Sequence, residues 1–181
     1  MLFVGKRLHG ATTGTCVSED MAIQPPTTEN ALKLLRNDHA RLRSLFGDYA
    51  MISARGASGT AAPADRQGLL ARLAVELRAH LTIVRELLYP ELDGRLDAAR
   101  LERAMRDHEA LEARLSEVAE AEPSDDGFDA RVAALAEALN DYLIGKESDI
   151  FPVAARTLDL EALGRRMALR RGALLGDLGT D

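Results

Sequence analysis

The stretch Asp107-His108-Glu109-Ala110-Leu111-Glu112-Ala113-Arg114-Leu115 decides the fold. Leu111 and Leu115 follow His108 at three and seven residues, the spacing that stacks side chains on one face of a helix. Asp38-His39 is followed by Leu42 and Phe46 at the same two offsets. A second pair of segments shares another register. His80 stands ten residues before Pro90, which follows Tyr89; Tyr142 stands ten residues before Pro152, which follows Phe151. The chain therefore contains two similar helical hairpins, 31–92 and 100–154. A rise of 1.5 Å per residue puts each special residue roughly 15 Å inside its helix end. His39, His80, His108 and Tyr142 are expected to meet at one level of a bundle core.

Working outward, Thr28 is the expected N-cap of the first helix, whose stripe is Leu35, His39, Leu42, Phe46 and Tyr49. Residues 54–63 read as a loop. Asp65 can cap the second helix, with Leu69, Leu73, Leu77, His80, Val84 and Leu87 inward; Pro90 ends it or lies just past its end. The third begins near Asp97 and carries Leu101, Met105, His108, Leu111, Leu115 and Val118. Glu122-Pro123-Ser124-Asp125-Asp126-Gly127 is a loop by composition. The fourth carries Val132, Leu135, Leu139, Tyr142 and Lys146 and closes around Phe151-Pro152. A shorter helix, 160–175, has Leu160, Leu163, Met167 and Leu174 on one face, while Arg165, Arg166, Arg170 and Arg171 crowd the rest. That basic face is expected to be solvated on a helix docked against an acidic bundle. The expected fold is all-α: an antiparallel four-helix bundle with a short fifth C-terminal helix over 28–175, and a disordered N-terminal tail over 1–27.

Composition agrees. Of 181 residues, 46% are hydrophobic and only 4% aromatic, with no Trp, so Leu, Ala, Val and Met must fill the core and helices are favoured. A net charge of -6 with so few aromatics offers little to a phosphate backbone or to bases, which argues against a nucleic-acid partner. The one cysteine, Cys16, excludes an internal disulfide framework. No apolar run approaches the ~20 residues of a membrane span, and no apolar segment follows Lys6 and Arg7 to make a signal peptide. A cytoplasmic location is the expectation.

A lone histidine on an apolar helix face is ordinarily a core residue hydrogen-bonded to a neighbour. Here every histidine outside the tail lies on such a face, and in repeated register. Clustered imidazoles in a core are costly unless something satisfies them, and a metal ion does so. At this point the chain resembles the hemerythrin HHE cation-binding domain. The residues that carry the likeness are Asp38-His39, His80 with Leu88-Tyr89-Pro90, Asp107-His108 with Glu112, and Ile150-Phe151-Pro152. The closing stretch Leu160-Glu161-Ala162-Leu163-Gly164-Arg165-Arg166-Met167 is also similar to the tail of such domains.

The resemblance implies a bundle around a non-haem di-iron centre that binds dioxygen, nitric oxide or peroxide, senses redox or iron status, or stores iron. It implies a histidine on each of four helices, and a carboxylate or second histidine four residues later on the last three. His39, His80, His108 and Glu112 match. Val84 and Lys146 stand where two carboxylates belong, and Tyr142 replaces a histidine. Glu76, Glu86 and Glu147 are nearby acids, each needing a helix rotation or a long reach. Lys146 would turn outward or lose its proton. The expected metal ligands are His39, His80, His108 and Glu112 with Tyr142 as a fifth, a set that suits one ion better than two. A metal-free degenerate bundle, structural or interacting with protein, stays open; there Lys146 would pair with Glu112. An enzyme acting on peroxide or dioxygen is the minor reading, since the chain shows no phosphate loop and no Ser or Cys nucleophile motif.

Overall fold

The structure is a computed structural model that describes residues 30–57 and 63–178. The predicted tail over 1–27, with Cys16, and the predicted cap Thr28 lie outside the described residues. In the order of the chain come α1 (Ala31–Ala57), α2 (Pro63–Ile83), a π turn (Val84–Leu88), α3 (Tyr89–Leu92), α4 (Ala98–Glu120), α5 (Phe128–Gly145), a second π turn (Lys146–Ile150), α6 (Phe151–Thr157) and α7 (Leu160–Leu178). Each π turn is continuous with its flanking helices, so four rods form the bundle: α1, α2 to α3, α4, and α5 to α6. Around the bundle α1 neighbours α2, α2 neighbours α4, α4 neighbours α5 and α5 closes on α1. Among the described residues there is no strand, and no helix is long and apolar enough to cross a membrane.

The π turns have an identifiable cause. Pro90 and Pro152 lack the N–H that an α-helix would offer to the carbonyl four residues back, and their rings crowd that carbonyl. The helix relaxes by widening one turn: Tyr89 N–H donates to Val84 O, and Phe151 N–H donates to Lys146 O, each five residues back. The second rod therefore passes through Pro90 to Leu92, and the fourth passes through Pro152 to Thr157, where the sequence reading ended both at their prolines. The first helix likewise runs four residues into its predicted loop. Asp97, near which the sequence reading began this helix, caps α4 by accepting from Arg100 N–H at 3.1 Å. Asn30 does the same for α1, accepting from Lys33 N–H at 2.9 Å. Asp65 lies within the first turn of α2. Gly94 and Gly127, at φ of 70° and 80°, close the two loops that need a left-handed residue.

Inward stripes follow the expected periodicity with one exception. Met105 is 42% exposed, and Ala104 takes the buried position beside it. The core falls into two apolar clusters. One gathers Leu35, Ile83, Val84, Leu88, Tyr89, Ala104, Ile150 and Phe151; the other gathers Leu42, Leu77, Leu81, Leu111, Leu139 and Leu143. Between them lies a polar layer, described below.

The fifth helix packs on α1 and α2. At 19 residues it is longer than expected. Asp159 caps it, accepting from Ala162 N–H at 2.9 Å, and Leu163 and Met167 enter the core. Its arginines meet the acidic surface beneath: Arg166 with Glu91 at 2.6 Å, Arg170 with Glu86 at 2.7 Å, and Arg171 with both Asp38 and Glu76. Exposed pairs contribute little, but Asp38 is 4% exposed, and removing its partner would strand a buried charge. Arg171→Ala is therefore expected to cost about 2–3 kcal/mol in chemical denaturation, whereas Arg165→Ala, on an exposed site with no ion pair among the described residues, stays within about 0.5 kcal/mol.

Candidate metal centre

His39, His80 and His108 are each 1% exposed, Tyr142 is 5% and Lys146 is 3%. They lie at the junction of the two apolar clusters, so the common level inferred from the repeat is where the structure places them. Each side chain comes from a different rod, apart from Tyr142 and Lys146, which lie one turn apart on the fourth. The rings of His39 and His80 meet edge to face at 5.1 Å, His80 and Tyr142 at 6.4 Å, and His108 and Tyr142 at 5.9 Å.

A neutral imidazole has one N–H and one lone pair, and its neighbours choose which nitrogen keeps the proton. His39 Nδ1 lies 2.6 Å from Glu147 Oε1. A carboxylate can only accept, so Nδ1–H donates to it and Nε2 carries the bare lone pair. That Nε2 is buried and has no hydrogen-bond partner. His80 Nδ1 faces Asp38 Oδ2 at 3.7 Å, an electrostatic contact too long for a hydrogen bond, and its Nε2 is also buried without a partner. His108 differs. Its Nδ1 pairs with Tyr142 Oη at 3.0 Å and contacts Tyr89 Oη at 3.5 Å. Its Nε2 faces Glu112 Oε1 at 3.4 Å without forming a hydrogen bond.

Burial keeps the proton off His39 and His108. His39 is lowered to about 4, chiefly by burial and then by the adjacent His80, against the opposing pull of Glu147. His108 is lowered to about 3 by burial, then by the charges of Lys146, His80 and Arg85. Burial pushes Tyr142 well above the usual phenol range. For Asp38, burial acts upward, but His80 and Arg171 outweigh it and hold the carboxyl below its ordinary value.

Lys146 neither turns outward nor pairs with Glu112. Its ammonium donates to Ala104 O at 3.1 Å and lies over the rings of Tyr142 at 4.4 Å and Tyr89 at 5.0 Å. Burial lowers it to about 8, although Asp107 and Asp149 pull the other way. Glu112 instead accepts from Arg85 at 2.9 and 3.0 Å. Of the three nearby acids, Glu76 and Glu86 are taken by arginines of α7. Glu147 is the site residue that helical spacing undervalued. The π turn adds a residue to the turn, so the position five after Tyr142 faces α1. The proline at 152 was the available signal.

The donors have the chemistry of a cation site. Buried imidazoles with Nδ1 held by a carboxylate and Nε2 bare are the arrangement in which outer carboxylates orient metal-binding rings. The spacing is looser than the chemistry. Among the described residues no three His, Cys, Asp or Glu side chains gather closely enough to hold a metal ion between them. The layer therefore brings four of the five expected residues to one level without closing them around one point; Glu112, tied to Arg85, stands at its edge with its side chain 32% exposed.

The sequence model of the family described as Hemerythrin HHE cation binding domain matches residues 30–154. The crystal structure of a hemerythrin HHE cation binding domain-containing protein from Mycobacterium kansasii superposes with a TM-score of 0.67 at 23% identity, covering 84% of this chain and 93% of that one. At that identity the likeness speaks for the fold. No curated protein matches the chain.

Two pH effects follow for the metal-free protein. Unfolded histidines bind protons near 6.5, and folded His39 and His108 near 4 and 3. The unfolded state therefore takes up more protons as pH falls through 6.5, and stability drops steadily toward pH 4. Lys146, lowered from 10.5 to about 8, acts at the other end: stability rises as pH climbs from 8 toward 10.5. Lys146→Met abolishes that alkaline rise and adds about 1–3 kcal/mol at pH 7, both readable from denaturant midpoints.

Proposed function

Because the chain belongs to the hemerythrin HHE cation binding domain family, we propose that it is a cytoplasmic module holding non-haem metal, iron first among candidates, to bind or sense dioxygen, nitric oxide, peroxide, or redox and iron status. The bare Nε2 of His39, fixed by the Glu147 carboxylate at 2.6 Å, carries this reading. An unsatisfied buried nitrogen costs on the order of 1–3 kcal/mol, and a cation removes that cost. His80 offers a second bare Nε2 from the neighbouring ring, and Asp38 supplies negative charge behind it. The proposed set also includes His108, Glu112 and Tyr142, which lie on the Lys146 side of the layer, so His39 and His80 anchor the ion.

Iron bound there would supply a Lewis-acidic, redox-active position. The chain's own part is to hold the His39 and His108 imidazoles neutral, aim the lone pairs, and keep bulk water out with the two apolar clusters. A groove of about 640 Å³ between α4 and α5 has Ala104, Tyr142 and Lys146 in its wall, and it is the approach a small ligand would take.

A second reading, a metal-free structural or interaction module, is favoured by one observation: Lys146 already places a positive charge in the layer. Metal content separates the two. Protein expressed with added iron is expected to carry stoichiometric metal, and His80→Ala to lose it. A chelator is expected to lower Tm by several degrees, because a ligand bound only by the folded state adds about 2.7 kcal/mol at a hundredfold excess over Kd. Metal-free wild-type protein whose Tm ignores both iron and chelator would sink the metal reading. A visible iron–phenolate band that disappears in Tyr142→Phe identifies Tyr142 as a ligand.

A further inference from the structure

The two hairpins present two half-sites related by the internal repeat. In one, His39 and His80 are the rings; in the other, His108 and Tyr142 take those places. The residue four after the first ring is Arg43 in one half and Glu112 in the other. The residue five after the second ring is Arg85 or Glu147, brought around by its π turn. These pair crosswise, Arg85 with Glu112 at 2.9 Å and Arg43 with Glu147 at 3.3 Å, so the layer has matching latches of opposite polarity.

Charge then divides the halves. Around His39 and His80 stand two carboxylates, Glu147 on one ring and Asp38 facing the other, each also met by an arginine, Arg43 or Arg171. Around His108 and Tyr142 the buried charge is Lys146, with Asp107 and Asp149 acting on it from the groove, and the carboxylate that faces His108, Glu112, is held by Arg85. The Lys146 ammonium is solvated as a bound cation would be: one carbonyl oxygen, Ala104 O, and two aromatic faces, Tyr89 and Tyr142.

We propose that Lys146 is a built-in cation standing in the second half-site, which restricts this bundle to a single metal ion on the His39–His80 side. The proposal rests on the metal-binding reading above for the first ion only. It deepens that reading by assigning nuclearity to one residue. The repulsion is local: a metal ion beside His108 would share the pocket with an ammonium that, among the described residues, has no carboxylate hydrogen-bonded to it.

The test is ion count, not activity. Wild-type protein and Lys146→Glu are loaded anaerobically with ferrous iron, desalted, and measured for iron per chain, with helicity checked by circular dichroism. The expected result is one iron per wild-type chain and one additional iron in Lys146→Glu, where a carboxylate replaces the ammonium. Lys146→Gln, which removes the charge and offers a carbonyl oxygen, serves if the glutamate variant fails to fold; it is expected to take the additional ion at higher iron concentration. Two irons in the wild type, or no increase in a folded variant, would overturn the proposal. Wild type at zero with a variant at one would remove the functional reading and the single-ion proposal with it, leaving only that Lys146 blocks the second half-site. Wild type at one with a variant at one would overturn the proposal and leave the functional reading standing.

Discussion

A layer of buried imidazoles must satisfy six ring nitrogens without water, and the rest of this molecule is arranged around that constraint. Three of the six are faced by neighbours from other helices: Glu147 for His39, Asp38 for His80, and the Tyr142 and Tyr89 hydroxyls for His108. The three Nε2 atoms are left without hydrogen bonds. An apolar core would have been simpler to pack and more stable, since each unpaired buried polar atom opposes folding. Keeping His39 and His108 neutral is the least costly way to bury them, and it is also the state in which an imidazole can donate a lone pair to a cation. Stability and ligand chemistry thus ask the same of these side chains.

The repeat explains how the layer is built and why its halves diverge. Each second rod of a hairpin carries an aromatic-proline pair, and each proline forces a π turn just beyond the ring residue. Such a turn shifts the following side chain onto a new face. In the first hairpin the shifted residue is Arg85, which reaches across to Glu112; in the second it is Glu147, which reaches across to His39 and Arg43. One backbone device serves both, and the sign of the side chain decides what each half-site accepts.

Much of this was legible in the sequence, for a physical reason. Helical periodicity is a local property, so the stripes through Leu35, Leu73, Leu111 and Leu135 identify the buried faces directly, and matching offsets to Pro90 and Pro152 put His80 and Tyr142 at one depth. The docking of α7 on acidic helices was likewise readable, but its basic face was expected to be solvated, whereas Arg166, Arg170 and Arg171 pair with acids of the bundle. What stayed hidden depended on distances across the bundle. Spacing by four made Lys146 the residue facing the site and Glu147 a near miss, whereas the widened turn brings both in, toward different neighbours. Pairing Lys146 with Glu112 looked natural on charge alone; Arg85, itself repositioned by the other π turn, reaches that carboxylate instead. Met105 was misread because an alanine next to it, Ala104, packs closer to Tyr89, which donates its hydroxyl to Ala104 O.

The fifth helix belongs to the site as much as to the fold. Asp38 is too buried to remain charged without help, since burial alone drives its carboxyl toward the neutral form. Arg171, from the middle of α7, binds Asp38 Oδ1 at 2.9 Å and leaves Oδ2 directed at His80 Nδ1. The same guanidinium is tied to Glu76, one turn before His80 on α2. A chain of contacts therefore runs from the docked helix through a buried carboxylate to one of the rings with a bare lone pair. Detaching α7 would uncover the apolar faces beneath Leu163 and Met167, and it would also release the negative charge that favours a cation beside His80. For that reason the bundle of four rods, though it contains every ring in the layer, does not by itself contain the whole electrostatic field in which those rings work.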